Sequence, residues 1–291
     1  MLSFFKSTYR SFRKSIRLLR YQLSGKKAWT TGYEEYKWDR INESLEDTAF
    51  LKAIEEGRLP SGYGQKIDDR IVEYPWIFAQ LKNSGKKILD AGSTFNYPRL
   101  VSHSLLQEKE LTIFTFYPES NNFSSRRISY VYGDLLDLPF RNELFDTVIC
   151  QSTLEHIDMD NSIYGYDLER RDTTQEKSYS FLKGISELLR ILKPGGMLCI
   201  TFPYGKFENH GFFQQFDDEM VSRIKILLEP QGKIREERYF LYKQEGWIIS
   251  NSSEAGEAES YNPHTGKGKG TDEAAHCRAL CCLAFSKNQK S

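Results

Sequence analysis

Long apolar runs are missing from this 291-residue chain. None approaches the roughly 18 residues that a membrane span requires. Cysteine is scarce: the five residues are Cys150, Cys199, Cys277, Cys281 and Cys282, with no CxxC spacing among them. That pattern excludes a disulfide framework and offers no zinc ligand set; it fits reduced thiols in a cytoplasmic protein. The glycine series GxGxxG is absent, which speaks against a nicotinamide enzyme. Net charge is absent as well, with 40 basic and 40 acidic residues. The balance is uneven, however. Residues 1–27 hold eight basic residues and no acidic one, so the rest of the chain carries 32 basic against 40 acidic. An acidic body of this kind lacks the broad basic surface that general nucleic-acid binding needs.

What is present falls into three parts: a basic amphipathic helix over 1–27, a helical cap over 28–84, and an α/β domain over 85–291. In the first part Phe5, Tyr9, Phe12, Ile16, Leu19 and Leu23 recur at spacings of three and four, which aligns them on one helical face. Arg and Lys occupy the other faces. Three readings stay open for it: contact with an anionic membrane surface, docking on the body or on a partner chain, and an acid-free transit segment. In the second part, YEEYKWDRINESLEDTAFLKAIEEG and DDRIVEYPWIFAQLKNSG carry helical periodicity, separated by the turn signal LPSGYGQ. From 86 onward short apolar runs alternate with helical patterns, the mark of βαβ units and a mostly parallel sheet. Strands are expected near 86–91, 111–116, 128–132, 145–150, 196–202, 234–243 and 277–286. Helices are expected within 97–107, 118–126, 176–192 and 217–229. The polar, glycine-rich stretch 250–275 reads as a mobile loop inserted between the last two strands.

Two segments carry the chemistry. KKILDAGSTFNYP (86–98) is an apolar run that ends on Asp90 and breaks at Gly92, and a strand ending in a tight glycine turn lets backbone approach a ligand. VYGDLLDLPFRNELFDTVI (131–149) puts Asp134 at the tip of another strand. A carboxylate there can accept a hydrogen bond from an exocyclic amine such as adenine N6, with Leu135 packed on the ring. The ligand these segments suit is nucleoside-sized and lies across the carboxyl edge of the sheet.

The order KILDAGS, GDLLDLPF, FDTVICQSTLEHI, LLRILKPGGMLCITFP resembles the class I S-adenosylmethionine-dependent methyltransferases across roughly 85–205. That resemblance implies a seven-stranded, mostly parallel sheet with helices on both faces and S-adenosylmethionine over its carboxyl edge. By matching positions, it implies that Asp90, Gly92 and Ser93 lie beneath the methionine moiety, that Asp134 and Leu135 hold the adenine, and that Gln151 lines the same pocket. Two departures stand out. Thr94 replaces the second glycine of the turn, and the acidic residue that ends the second strand and clasps the ribose is absent, leaving Thr115 with Phe116 after it. Thr115 can supply a weaker hydrogen bond, and Glu119 is placed to reach back. The gap also admits a degenerate scaffold without catalysis.

A narrower set, GYGQKIDDRIVEYPW, STLEHI, FPYGKFENHGFFQQFD and AAHCRALCCL, is similar to bacterial methyltransferases linked to surface polysaccharide and related glycans. It implies a saccharide or lipid-linked saccharide acceptor; a small or lipid-like acceptor of quinone or fatty acyl type is the alternative. The 17 Tyr and 19 Phe suit sugar stacking. A hydroxyl acceptor must lose its proton, and His156, just after the fourth strand, is the first candidate base, with His210 in the loop after the fifth strand the second. Asp158, Asp160, Asp167, Glu169 and Asp172 form an acidic loop that more often is merely solvated, so no metal is expected.

Overall fold

The computed structural model of the chain describes residues 2–82, 84–164, 176–262, 265–266, 269 and 276–289. Four helices come first: α1 (Leu2–Leu23), α2 (Tyr33–Glu46), α3 (Thr48–Glu55) and α4 (Arg70–Leu81). Then follow β1 (Lys87–Ala91), the one-turn helices α5 (Pro98–Val101) and α6 (Ser104–Gln107), β2 (Glu110–Thr115), β3 (Ser129–Tyr132), β4 (Phe145–Gln151), α7 (Phe181–Ile191) and β5 (Leu192–Pro203). A two-stranded ribbon, β6 (Glu208–Asn209) with β7 (Gln214–Gln215), leads to α8 (Asp218–Leu228), β8 (Gly232–Lys243), β9 (Gly246–Ser250), α9 (Ser252–Ala255) and β10 (Ala279–Lys287).

One eight-stranded sheet runs in the order β3-β2-β1-β4-β5-β10-β8-β9. The first five strands are parallel to their neighbours, whereas β10 is antiparallel to both β5 and β8. The strands alternate in which face they feed. Ile88, Ile149, Cys199, Leu280 and Cys282 join the core beneath α2, α3 and α4. Leu89, Val148, Cys150, Leu198, Cys281 and Leu283 join the core beneath α7 and α8. This is the period-2 consequence of a sheet covered on both sides. All five cysteines are buried and free.

The expected α/β sheet is present, with differences that have local causes. It has eight strands rather than seven, because Gly246–Ser250 turns back on β8. Gly246 takes φ 128°, and Trp247 donates its indole N–H to the Ile67 carbonyl at 3.0 Å. The strand is thus pinned by a segment 180 residues away. The expected helix over 118–126 shrinks to a single 3₁₀ turn at Ser124–Arg126. Asn121 and Asn122 spend their side chains on the Asn96 carbonyl and the Ser124 N–H, the local competition that disfavours helix. Residues 251–262, read as part of a mobile loop, are packed: the Ala258 carbonyl accepts from Lys206 N–H and Gln215 Nε2, and Ser260 N–H reaches Gln215 Oε1. Among the described residues no helix is long and apolar enough to cross a membrane.

α1 lies on α2. Tyr21 is buried against Tyr33 and Tyr36 at centroid distances of 6.0 and 5.2 Å, and the pairs Lys14–Asp39 (2.6 Å) and Arg17–Glu35 (2.5 Å) tie the helices. At the entry to α2, Gly32 takes φ 92° and a Cβ there would stand 2.1 Å from the Arg17 carbonyl oxygen. Gly32→Ala is therefore expected to cost about 1–3 kcal/mol and to loosen α1. A lowered melting temperature with faster tryptic cleavage after Lys26 or Lys27 would show it; unchanged values for both would reject the tight contact.

Candidate active site

A cavity of about 700 Å³ opens at the carboxyl ends of β1 to β4. Its wall is built strand by strand. After β1 come Gly92, Ser93 and Thr94; after β2 come Phe116 and Glu119 beside Thr115; after β3 come Gly133, Asp134 and Leu135; after β4 come Ser152, Thr153 and His156. Arg70 and Tyr74 of α4 close one side, and Tyr97 stands at the rim.

The turn after β1 is shaped by contact. Gly92 has φ 129°, and a Cβ on it would lie 2.0 Å from Thr153 Oγ1, so only glycine lets the two loops meet. Asp90 does not line the cavity. It is fully buried and holds the turn from behind, Oδ1 accepting from Thr94 N–H and Oγ1 (3.2 and 3.1 Å) and Oδ2 from Phe95 N–H (2.8 Å). Burial pushes its pKa up to about 7 in spite of those bonds. Ser93, at φ 60°, is a residue of the cavity wall, and its buried hydroxyl has no hydrogen-bond partner among the described residues. A group of that kind calls for a polar ligand atom.

At the β2 tip Thr115 is joined by a carboxylate from further along the chain. Glu119 folds back so that Oε1 stands 3.5 Å from Thr115 Oγ1 and Oε2 accepts from Asn96 Nδ2 at 2.9 Å. At the β3 tip Asp134 Oδ1 accepts the Leu136 N–H at 2.8 Å, and Leu135 packs into the core behind. Two carboxylates and a buried hydroxyl therefore stand on neighbouring strand ends, the arrangement that suits a ligand with a diol, an amine and a flat ring.

Gln151 is fully buried behind the wall rather than in it, and donates Nε2 to Glu73 Oε2 at 3.1 Å. Glu73 is the centre of that layer. It is fully buried on α4, and it accepts from Ser152 Oγ and Thr201 Oγ1, both at 2.6 Å, and from Arg70. One carboxylate thus joins α4 to the ends of β4 and β5. Ser152 is held there at φ 40°, a strained backbone for a residue with a side chain. Neighbouring acids are driven toward their neutral forms by burial: Asp69 rises to about 7, and Glu155 rises too.

The two histidines separate. His156 is on the cavity wall, with Nδ1 2.7 Å from the Phe212 carbonyl oxygen. A carbonyl only accepts, so Nδ1 carries the proton and Nε2 is the basic nitrogen. Burial lowers the His156 pKa to about 4, against the Phe212 hydrogen bond and with Arg70 adding to the lowering. His210 is not on the wall. It is buried and stacked on Phe213 at 4.4 Å. Of the acidic loop, Asp158 and Asp160 reach the cavity, while Asp167, Glu169 and Asp172 lie outside the described residues. Among the described residues no group of three His, Cys, Asp or Glu is arranged to hold a metal ion.

Arg70, Glu73 and Tyr74 were not singled out by sequence reasoning. Their spacing of three and four puts them on one face of α4, which is a signal, but nothing local says that the face looks at a site. Glu73→Gln should cost roughly 1.5–3 kcal/mol in urea unfolding, since it weakens charge-assisted hydrogen bonds in a buried network. A variant as stable as the parent would deny the carboxylate this linking role.

Residues 116–200 match the family model described as "Methyltransferase domain". No protein of curated function matches the chain in sequence. Among solved structures it is similar to the Burkholderia thailandensis 1,6-didemethyltoxoflavin-N1-methyltransferase with bound 1,6-didemethyltoxoflavin and S-adenosylhomocysteine (11% identity, 97% of this chain and 90% of that one, TM-score 0.44). It is also similar to the N-methyltransferase NodS of Bradyrhizobium japonicum in complex with S-adenosylhomocysteine (12% identity, 86% and 98%, TM-score 0.42). The family match runs from just past β2 through β3, β4, α7 and most of β5, and so takes in the Glu119, Asp134 and His156 parts of the cavity wall. The match marks residues 116–200 as methyltransferase-like, an enzyme's domain.

Proposed function

We propose that the chain methylates a hydroxyl group of a saccharide, free or lipid-linked, using S-adenosylmethionine held across the tips of β1 to β3. The single observation that carries this reading is His156: an imidazole on the wall of the cavity that the donor residues share, with Nδ1 held by the Phe212 carbonyl.

The cavity residues fit the donor group by group. Asp134 would accept from the adenine amine, with Leu135 under the ring. Glu119 would clasp the ribose hydroxyls together with Thr115, which restores the carboxylate absent from the strand itself. Gly92 and the partnerless Ser93 hydroxyl would meet the methionine moiety. Arg70 is the only Lys or Arg among the described residues of the wall, so it suits the amino-acid carboxylate. Asp90 and Gln151 would act from behind, by fixing the turn and the β4 end. When bound, the donor supplies a methyl group on a sulfonium, open to in-line displacement by an oxygen nucleophile. The chain's part is to orient the acceptor oxygen, exclude water and receive the proton. His156 Nε2 would take that proton while Nδ1 stays bonded to Phe212. A base whose free-enzyme pKa is near 4 is already deprotonated throughout the neutral range. Tyr97 and Phe116, about two-fifths exposed at the rim, supply aromatic faces for a sugar ring.

Calorimetry with S-adenosylhomocysteine should show binding, weakened about 10- to 100-fold by Asp134→Ala or by Glu119→Gln. A Glu119→Gln variant that binds like the parent would remove Glu119 from the ribose site. With a panel of saccharide acceptors, His156→Ala should lower kcat by about 10²–10⁴-fold at unchanged donor affinity. The acid limb of kcat/KM should fall near pH 4, because protonation removes the base there. A limb near 6.5, or an unaltered rate in the variant, would point to another base. Turnover of quinone or fatty acyl acceptors alone would replace the saccharide reading.

A further inference from the structure

α1 shows two unlike faces. Lys14, Arg17 and Tyr21 form the one that is tied to α2. At 100° per residue, Phe12, Ile16, Leu19 and Leu23 centre on the opposite side, and there they face solvent: Phe12 is 64%, Leu19 56% and Leu23 79% exposed. Tyr9 continues the row and is 63% exposed. Arg13 and Arg20, two turns apart and both exposed, border the row along one edge. Docking on the body thus accounts for one side of the helix and leaves an apolar strip that no described residue covers.

We infer that this strip lies on an anionic lipid surface. Charge selects that occupant. The segment 1–27 carries eight basic residues and no acidic one. A helix with aromatic and leucine residues on one face and Arg at its border is the form that settles at the boundary between headgroups and acyl chains. Such a surface also satisfies the border arginines, at about five-fold in affinity per residue. The placement is continuous with the site. α1 is anchored at Asp39 of α2; the neighbouring Trp38 packs on Tyr97 at 4.7 Å, and Tyr97 stands at the cavity rim. A surface beneath α1 is therefore linked through α1 and α2 to the rim, where a lipid-linked acceptor would enter.

The test is flotation of the full chain with phosphatidylcholine vesicles, with and without phosphatidylglycerol, at low and high salt. Binding is expected only with phosphatidylglycerol, and it should fall steeply with salt. Arg13→Gln and Arg20→Gln should each weaken it about five-fold. Phe12→Ser with Leu19→Ser should abolish it while the melting temperature stays unchanged, since both side chains are exposed. Absence of binding to anionic vesicles overturns the inference, as does binding that ignores salt or the stripe substitutions. So does a dimer, seen by light scattering, that the Phe12 and Leu19 substitutions dissolve, since a second copy would then be the cover. Donor binding measured on the same samples keeps this outcome separate from the proposed function.

Discussion

The Glu73 carboxylate is the interaction on which the site depends. Three of its donors, Gln151, Ser152 and Thr201, belong to the ends of two adjacent parallel strands, and the fourth is Arg70 one turn earlier on its own helix. A carboxylate taken wholly out of water is costly unless every lone pair is used. Here the chain meets that demand with groups that a sheet edge would otherwise leave without partners. One buried charge thereby sets three things at once: the angle of α4 on the sheet, the left-handed backbone of Ser152 that starts the loop to His156, and the direction of Arg70 into the cavity. Burial, with the Glu73 charge beside it, pushes Asp69 up to about 7 and raises Glu155 as well.

The sheet itself was legible because its cause is local. Apolar runs of five to seven residues ending on Asp90, near Asp134 and at Gln151 state strand, period and direction by themselves, and the regular alternation of helical stretches implies parallel pairing. β9 was not legible, because what makes GWIIS a strand is the Ile67 carbonyl waiting for its tryptophan. The failed helix over 118–126 is partly of the same origin: Asn121 bonds to the Asn96 turn, which helical propensity does not see, while Asn122 bonds the nearby Ser124 N–H.

The site divides along the same line. Gly92, Ser93, Thr115, Asp134, Leu135 and His156 sit on strand tips or in the turns just past them, and all six belong to the cavity wall. Asp90 and Gln151 point inward instead, a matter of pleat that their position at a strand end does not reveal. His210 was a plausible acid–base residue by its loop, yet its stacking on Phe213 is decided by the β6–β7 ribbon. Glu119 reaches its place only because Asn96, on a different turn, holds its second oxygen.

The position of β10 has a consequence for how the chain reaches this structure. It is the last strand in sequence, yet it sits between β5 and β8, with seven partner positions on one side and nine on the other. Until residues 279–287 arrive, the β8–β9 hairpin has no sheet to join, and the exposed edge of β5 has no neighbour. A two-stranded hairpin is marginal alone, and contacts across some eighty residues close slowly. The parallel half can thus assemble first and wait with an open edge, which makes the arrival of β10 the event that separates folding from aggregation at that edge.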